Sequence, residues 1–152
     1  MTIITTNQVQ SIVAAGAFPG AREPVELVET HISWVILTPD YAFKIKKPVT
    51  FGFLDFSTLE LRQHFCAEEL RLNRRYAPSI YLDVVPISGS PRAPCLGGEG
   101  PAIEVALRML RFAPRALLSE QLADGTLRPA HVDQLAQRLA AAGADLQAAL
   151  AA

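Results

Sequence analysis

The sequence predicts an α+β fold, in which a five-stranded antiparallel sheet carries one long packed helix and is followed by C-terminal helices. Three observations support this fold class. Residues 25–47 are rich in β-branched and aromatic residues, which is typical of short strands joined by turns. Residues 57–76 carry apolar residues at helical spacing. The Ala-rich segment 129–152 favours a further helix, because alanine is the best helix former.

Composition and charge are those of an ordinary soluble globular domain. Of the 152 residues, 50% are apolar and 19% are charged, and the net charge is −1. This length favours one domain, and this charge gives no reason to expect nucleic acid or anionic lipid as a partner. No apolar run reaches the roughly 18 residues of a membrane span, and the first residues do not resemble a secretory signal. The two distant cysteines, Cys66 and Cys95, favour reduced thiols and a cytoplasmic location.

The segment Tyr41–Val49 holds all three lysines of the chain. As a strand, it has one apolar face and one face of small and cationic side chains, because successive side chains alternate. The apolar face is Tyr41, Phe43 and Ile45, and the other face is Ala42, Lys44 and Lys46. Over Ala42 there is room for a flat ring, while the Lys44 ammonium reaches the phosphates of the same ligand. We interpret this segment as a candidate nucleotide-holding strand.

The remaining elements follow from turn and capping signals. Ser57 and Glu60 form a capping-box pattern that begins a long helix ending near Tyr76. The loop over 49–56 is expected to pack its three phenylalanines on the sheet. A Gly/Pro-rich loop over 88–101 joins the last two strands as a long hairpin. The other predicted elements are helices over 6–16, 117–122 and 129–152 and strands over 25–29, 32–37, 80–87 and 102–112.

Four sequence runs carry a resemblance to a known family. They are Val25–Trp34, Tyr41–Val49, Phe53–Leu59 and Glu68–Arg75. Together with the order of elements, they resemble the N-terminal lobe of bacterial aminoglycoside phosphotransferase-like proteins, which have the protein-kinase-like fold and are often fused to a P-loop kinase-like ATPase domain. The resemblance covers residues 1 to about 140. It implies a kinase-like N-lobe over 1–113, and over 114–152 the helices that follow the hinge and begin a C-lobe absent from this sequence.

The resemblance also implies an ATP site that works with Mg²⁺. In this fold a strand lysine contacts the α- and β-phosphates and is held by a helix glutamate. Lys44 is the first choice for this lysine, because it ends the Ala-x-Lys pattern that begins at Ala42. Lys46, on the same face, is the second choice. Glu69 is the expected partner, and Glu68 is the alternative.

Two further groups complete the expected site. Thr30 and Ser33 lie at the first strand turn, where their hydroxyl groups and amides either bond phosphate or satisfy the turn itself. The stretch Met109–Phe112, which includes Arg111, occupies the hinge position, where backbone groups meet adenine. Core packing is an equally good interpretation of Met109.

Other parts of the phosphotransferase chemistry are missing from the sequence. The resemblance calls for a catalytic Asp and a metal-holding Asn and Asp from a His-Gly-Asp type loop. His131 and Asp133 have the same His-x-Asp spacing as that loop, but they lie in a predicted helix. We therefore expect a lobe that binds nucleotide weakly, is inactive alone, and either docks to a protein that supplies the C-lobe or self-associates. The alternatives are a non-catalytic binding or regulatory module and a truncated gene product.

Overall fold

The structure is a computed structural model that describes residues 5–14, 25–90, 92–113 and 115–151. Its strands and helices occur in separate groups along the chain, as in an α+β fold, rather than in strict alternation. The helices are α1 (Thr6–Ala14), α2 (Leu59–Asn73), α3 (Leu118–Ala123) and α4 (Pro129–Ala151). The strands are β1 (Glu26–Glu29), β2 (Ser33–Leu37), β3 (Tyr41–Lys46), β4 (Thr50–Phe51), β5 (Leu54–Asp55), β6 (Tyr81–Ser90), β7 (Ala93–Leu96) and β8 (Glu104–Leu110).

Six strands form one antiparallel sheet in the order β1-β2-β3-β8-β6-β7. The lysine strand β3 lies between β2 and β8, and Ala42 pairs with Leu37 on one side and Met109 on the other. The turn before β3 sets this register, because the Thr38 hydroxyl accepts the Tyr41 amide at 3.0 Å and donates to the Tyr41 carbonyl at 3.1 Å. Strand β3 is therefore paired on both sides, and its side chains alternate between the two faces of the sheet as expected.

The sheet lies between two helices. Apolar side chains of α1 meet one face, and this core consists of Val9, Ile12, Trp34, Ile36, Phe43, Ile45, Ile87, Leu96 and Ala106. Helix α2 packs against β8 and β6. Its Glu69 reaches Lys44 and Lys46, which alternate with the core residues of β3, so α2 lies on the opposite face.

The prediction of five strands was wrong in number, although the α+β class and the antiparallel pairing are confirmed. The added strand β7 lies within the segment predicted as a loop over 88–101, and it pairs with the end of β6. Pro94 and Gly89 face each other in this pair. Proline fits there because β7 is the edge strand of the sheet, where one side of the backbone needs no ladder partner.

The connection between β3 and α2 also differs from the prediction. The expected loop contains the two-stranded hairpin β4–β5, and the N-cap of α2 is Thr58 rather than Ser57, since Thr58 Oγ1 accepts the Leu61 amide. Only Phe56 is buried, whereas Phe51 and Phe53 are 44% and 86% exposed. The expectation that all three phenylalanines pack on the sheet was therefore wrong, because the hairpin directs its tip away from the core.

At the two ends of the chain, the predicted helices are present with other bounds. Helix α1 is described over Thr6–Ala14, and the last two residues of the helix predicted over 6–16 lie outside the described residues. After β8 come α3 and α4, as expected. No helix in the described part of the chain has the length and hydropathy needed to cross a membrane.

Candidate functional site

A cluster of two lysines and one glutamate lies between β3 and α2. Lys44 Nζ donates to Glu69 Oε1 at 2.7 Å, and Lys46 Nζ donates to Glu69 Oε2 at 2.6 Å. Strand alternation puts the two lysines on one face, about 6.6 Å apart along the backbone, and their long side chains converge on the two oxygens of one carboxylate. The structure thus brings together Lys44 and Glu69, the pair that the sequence singled out.

The phase of α2 explains why Glu69 rather than Glu68 meets the lysines. Cys66 is fully buried on the inward side of the helix, and Glu69 lies three residues further on the same side. Glu68 instead pairs with Arg71 at 2.7 Å, and the side chains of that pair are 36% and 53% exposed. The alternative partner Glu68 therefore lies outside the cluster.

The electrostatics of the cluster are those of a partly buried ion network. Burial opposes the ionisation of Glu69, but its hydrogen bonds to Lys44 and Lys46 and their charges outweigh burial and hold its pKa below the usual 4.5. Burial also raises the pKa of the neighbouring Cys66 thiol to about 11, so this group stays protonated at neutral pH. Lys46 Nζ lies 4.7 Å from the centre of the Phe56 ring, which adds a cation–π contact.

A recess opens beside the cluster, on the same face of the sheet. It has a volume of about 240 Å³. Its wall includes Leu37 and Ala42, a cross-strand pair, together with Arg111 and Phe112 from the segment after β8. Ala42 is two residues from Lys44 on the same strand face. The recess and the cluster therefore lie on the same face of the sheet, two residues apart along β3.

The hinge residues are placed beside Ala42, although two of their amides are already used. Met109 is the cross-strand partner of Ala42 and is half-buried, so its side chain shares that face. The amide of Leu110 donates to the Ile80 carbonyl at 2.8 Å, and that of Arg111 donates to the Asp40 carbonyl at 2.9 Å. Adenine contacts from this segment would thus have to use other backbone groups.

The side chain of Arg111 lies at the edge of the recess and is held by contacts with neighbouring strands. Its Nη1 donates to the Thr38 carbonyl at 3.0 Å, and its Nη2 lies 3.7 Å from Glu26 Oε2. These contacts tie the segment after β8 to the β2–β3 turn and to β1. They hold one wall of the recess in place.

The two candidate residues of the first strand turn, Thr30 and Ser33, differ in their hydrogen bonding. The Thr30 hydroxyl accepts the Ser33 amide at 3.0 Å and donates to the Ser33 carbonyl at 3.1 Å, so it serves the turn. Ser33 is cross-strand from Lys46 and 1% exposed, and its Oγ has no hydrogen-bond partner in the described part of the chain. A phosphate contact through Thr30 or Ser33 stays a prediction, and Thr30 would have to leave its turn to make one.

Sequence reasoning missed a buried ion pair that anchors α2. Arg62 Nε lies 3.0 and 2.8 Å from the two oxygens of Glu104 on β8, and Arg62 Nη1 donates to the Phe56 carbonyl at 2.8 Å. Arg62 is 1% exposed and Glu104 is fully buried. An arginine and a glutamate 42 residues apart give no local signal, and only the fold brings them together.

The described residues do not bring together a group of three or more His, Cys, Asp and Glu side chains that would hold a metal ion. The involvement of Mg²⁺ therefore stays a prediction.

Comparisons with known proteins add relatives without an assigned activity. No model of a known protein family matches the chain, and no solved structure matches it significantly. Uncharacterized proteins of Mycobacterium bovis and of two strains of Mycobacterium tuberculosis are 34% identical over 125 residues, which is 82% of this chain. The match spans only 24% of each of those proteins, so the chain corresponds to about a quarter of the length of these relatives.

Proposed function

We propose that this chain is the ATP-binding lobe of a phosphotransferase-like protein with the kinase-like fold. The observation that carries the proposal is the ion pair between Lys44 and Glu69, which lies beside the recess at Ala42. A strand lysine held by a helix glutamate is the arrangement that kinase-like folds use to contact nucleotide phosphates. The small side chain of Ala42 and the apolar Leu37 and Phe112 suit a flat base.

In this proposal the nucleotide lies on the α2 face of the sheet, over β2 and β3 rather than over β8 and β6, where α2 packs. The adenine ring occupies the recess and the phosphates extend toward Lys44, which is the more exposed of the two lysines at 27%. The recess volume of about 240 Å³ is below the roughly 300–1,000 Å³ of closed ligand sites. We therefore expect weak binding, since one lobe supplies one wall of a cleft.

Phosphoryl transfer would require a second lobe that supplies the acidic and metal-holding groups. The mycobacterial relatives, of which the match spans only 24%, have ample length for such a lobe. For this chain, the second lobe would come from a further part of the protein, from a partner, or from a second copy. The exposed leucines Leu117, Leu118 and Leu122 around α3 are suited to contact it.

The test is calorimetric titration of Mg-ATP into the protein and into Lys44→Met. Lys47→Met is the matched control, because it removes the same charge from a side chain that pairs with Glu29 and lies over the Trp34 ring, away from the recess. We expect the wild type and Lys47→Met to bind ATP and Lys44→Met to lose most of the binding.

Binding that Lys44→Met retains in full would contradict the proposed site. No binding in any of the three proteins would contradict nucleotide binding by this chain and would favour a non-catalytic module. Repeating the titration with adenosine separates the two halves of the site, because adenosine uses the recess alone.

A further inference from the structure

One carboxylate in the cluster serves two ammonium groups. Glu69 uses Oε1 for Lys44 and Oε2 for Lys46, at 2.7 and 2.6 Å. At neutral pH the three side chains therefore carry one net positive charge. A lysine paired with its own glutamate would carry none, so Lys46 changes the charge that the cluster presents to a ligand.

The two lysines differ in where they lie. The Lys46 side chain is 6% exposed, and its ammonium is enclosed by Glu69 and the face of the Phe56 ring. The Lys44 side chain is 27% exposed and shares its strand face with Ala42, at the recess. The enclosed lysine thus contacts Glu69 and the Phe56 ring, whereas the ammonium-bearing side chain of Lys44 is accessible to a ligand beside Ala42.

We propose that Lys46 is a positioning residue that neutralises Glu69, so that Lys44 retains a net positive charge for a polyphosphate. This inference rests on the proposed role of Lys44 as the phosphate contact. Glu69 keeps Lys44 extended across the sheet, and Lys46 prevents Glu69 from cancelling the Lys44 charge.

The effect of Lys46 on the cluster is expected when a polyphosphate binds to Lys44. Lys44 then shifts part of its hydrogen bonding from Glu69 to the anion. With Lys46 in place, Glu69 keeps a partner at 2.6 Å, and no partly buried carboxylate is left unpaired. Without Lys46, the anion has to compete with Glu69 for Lys44, the remaining lysine of the cluster. The anion is also repelled by the Glu69 carboxylate, which loses its partner when Lys44 turns to the anion.

The experiment measures binding of inorganic tripolyphosphate and of Mg-ATP to charge variants. Lys46→Met removes the neutralising charge, and we expect it to weaken tripolyphosphate binding at least about tenfold, because two unit charges about 12 Å apart at an effective dielectric of about 20 already differ by that factor and the bound anion would lie closer. The double variant Lys46→Met/Glu69→Gln again has one net positive charge, on Lys44, and we expect it to regain most of the affinity. Lys47→Met is the matched control and should bind as the wild type does.

The outcomes separate the inference from the proposed function. Unchanged binding in Lys46→Met, or no recovery in the double variant, would overturn the role of Lys46 while leaving nucleotide binding intact. Tripolyphosphate binding with the expected variant pattern, but with ATP no tighter than tripolyphosphate, would support the role of Lys46 and count against an adenine site. No anion binding by the wild type would overturn both.

A measurement on the wild-type protein does not depend on whether Lys46→Met or the double variant folds. The chain has only three lysines, so its lysine side-chain NMR spectrum has three sets of signals, which Lys47→Met and Lys44→Met assign. On titration with tripolyphosphate, we expect the Lys44 signals to shift strongly and the Lys46 signals to shift little. Equal shifts of Lys44 and Lys46 would contradict the division of roles.

Discussion

At the scale of single residues, Glu69 links the stability of the protein to pH. Its pKa in the folded protein is below the usual 4.5, because the two lysines outweigh the effect of burial. A carboxyl group with a lowered folded-state pKa contributes stability at neutral pH, and this contribution is lost as the pH falls from about 4.5 through the folded-state value.

We therefore expect Glu69→Gln to lower the free energy of unfolding at pH 7 by about 2 kcal/mol, as the loss of charged hydrogen bonds does. The difference from the wild type should shrink as the pH falls below about 4.5. Urea unfolding at a series of pH values measures both effects. The matched control is Glu68→Gln, one residue away and paired only at the surface with Arg71, which should change stability little. A difference that is constant across the pH series would contradict the assignment to Glu69.

The same residues show which part of the candidate site could be predicted from the sequence. The geometry agrees with the preference for Glu69 over Glu68, because helical phase and strand alternation are local rules that the sequence displays. The joint use of Glu69 by both lysines was missed. In the sequence Lys46 is only an alternative to Lys44, whereas the second carboxylate oxygen of Glu69 allows both lysines to bind it at once.

At the scale of elements, the ion pair between Arg62 and Glu104 fixes α2 on the sheet. The guanidinium also donates to the Phe56 carbonyl, so it connects the start of α2, β8 and the segment after the β4–β5 hairpin. We expect Arg62→Met to lower the free energy of unfolding by roughly 3–5 kcal/mol, since it leaves the fully buried Glu104 without its counter-charge.

The double variant Arg62→Met/Glu104→Gln tests the cause of that loss. Because the buried charge is removed along with its partner, we expect the double variant to be more stable than Arg62→Met alone. Urea unfolding of the wild type, of Arg62→Met and Glu104→Gln, and of the double variant gives the coupling energy. If the two single losses simply add, the side chains do not act as a pair.

Element boundaries could be predicted only where the signals were local. The first three strands and the long helix follow from alternation and capping signals, and they are present with bounds that differ by a few residues. Strand β7 was missed, since its Pro94 and the nearby glycines are the usual composition of a loop. Its identity as a strand depends on the edge position beside β6, which is a property of the assembled sheet.

At the scale of the whole molecule, the packed part of the described chain is the sheet with α1 and α2. The 23-residue helix α4 differs, because its large apolar side chains are exposed over the part of the helix where side chains are described, up to residue 144. Val132, Leu135 and Leu139 share one side of the helix and are 54%, 43% and 51% exposed. A helix that buries so little of its apolar face relies on its intrinsic propensity, which makes an isolated helix only marginally stable in water.

We therefore expect the amides of α4 to exchange with deuterium much faster than those of α2, whose inward side includes the fully buried Cys66. Hydrogen-exchange mass spectrometry at low protein concentration measures this, with α2 as the internal standard. Raising the concentration tests whether a second copy covers the stripe formed by Val132, Leu135 and Leu139, because association would then slow exchange in α4 selectively. Protection of α4 equal to that of α2 at every concentration would mean that α4 is stabilised within the monomer, and would contradict a helix left open for a second lobe.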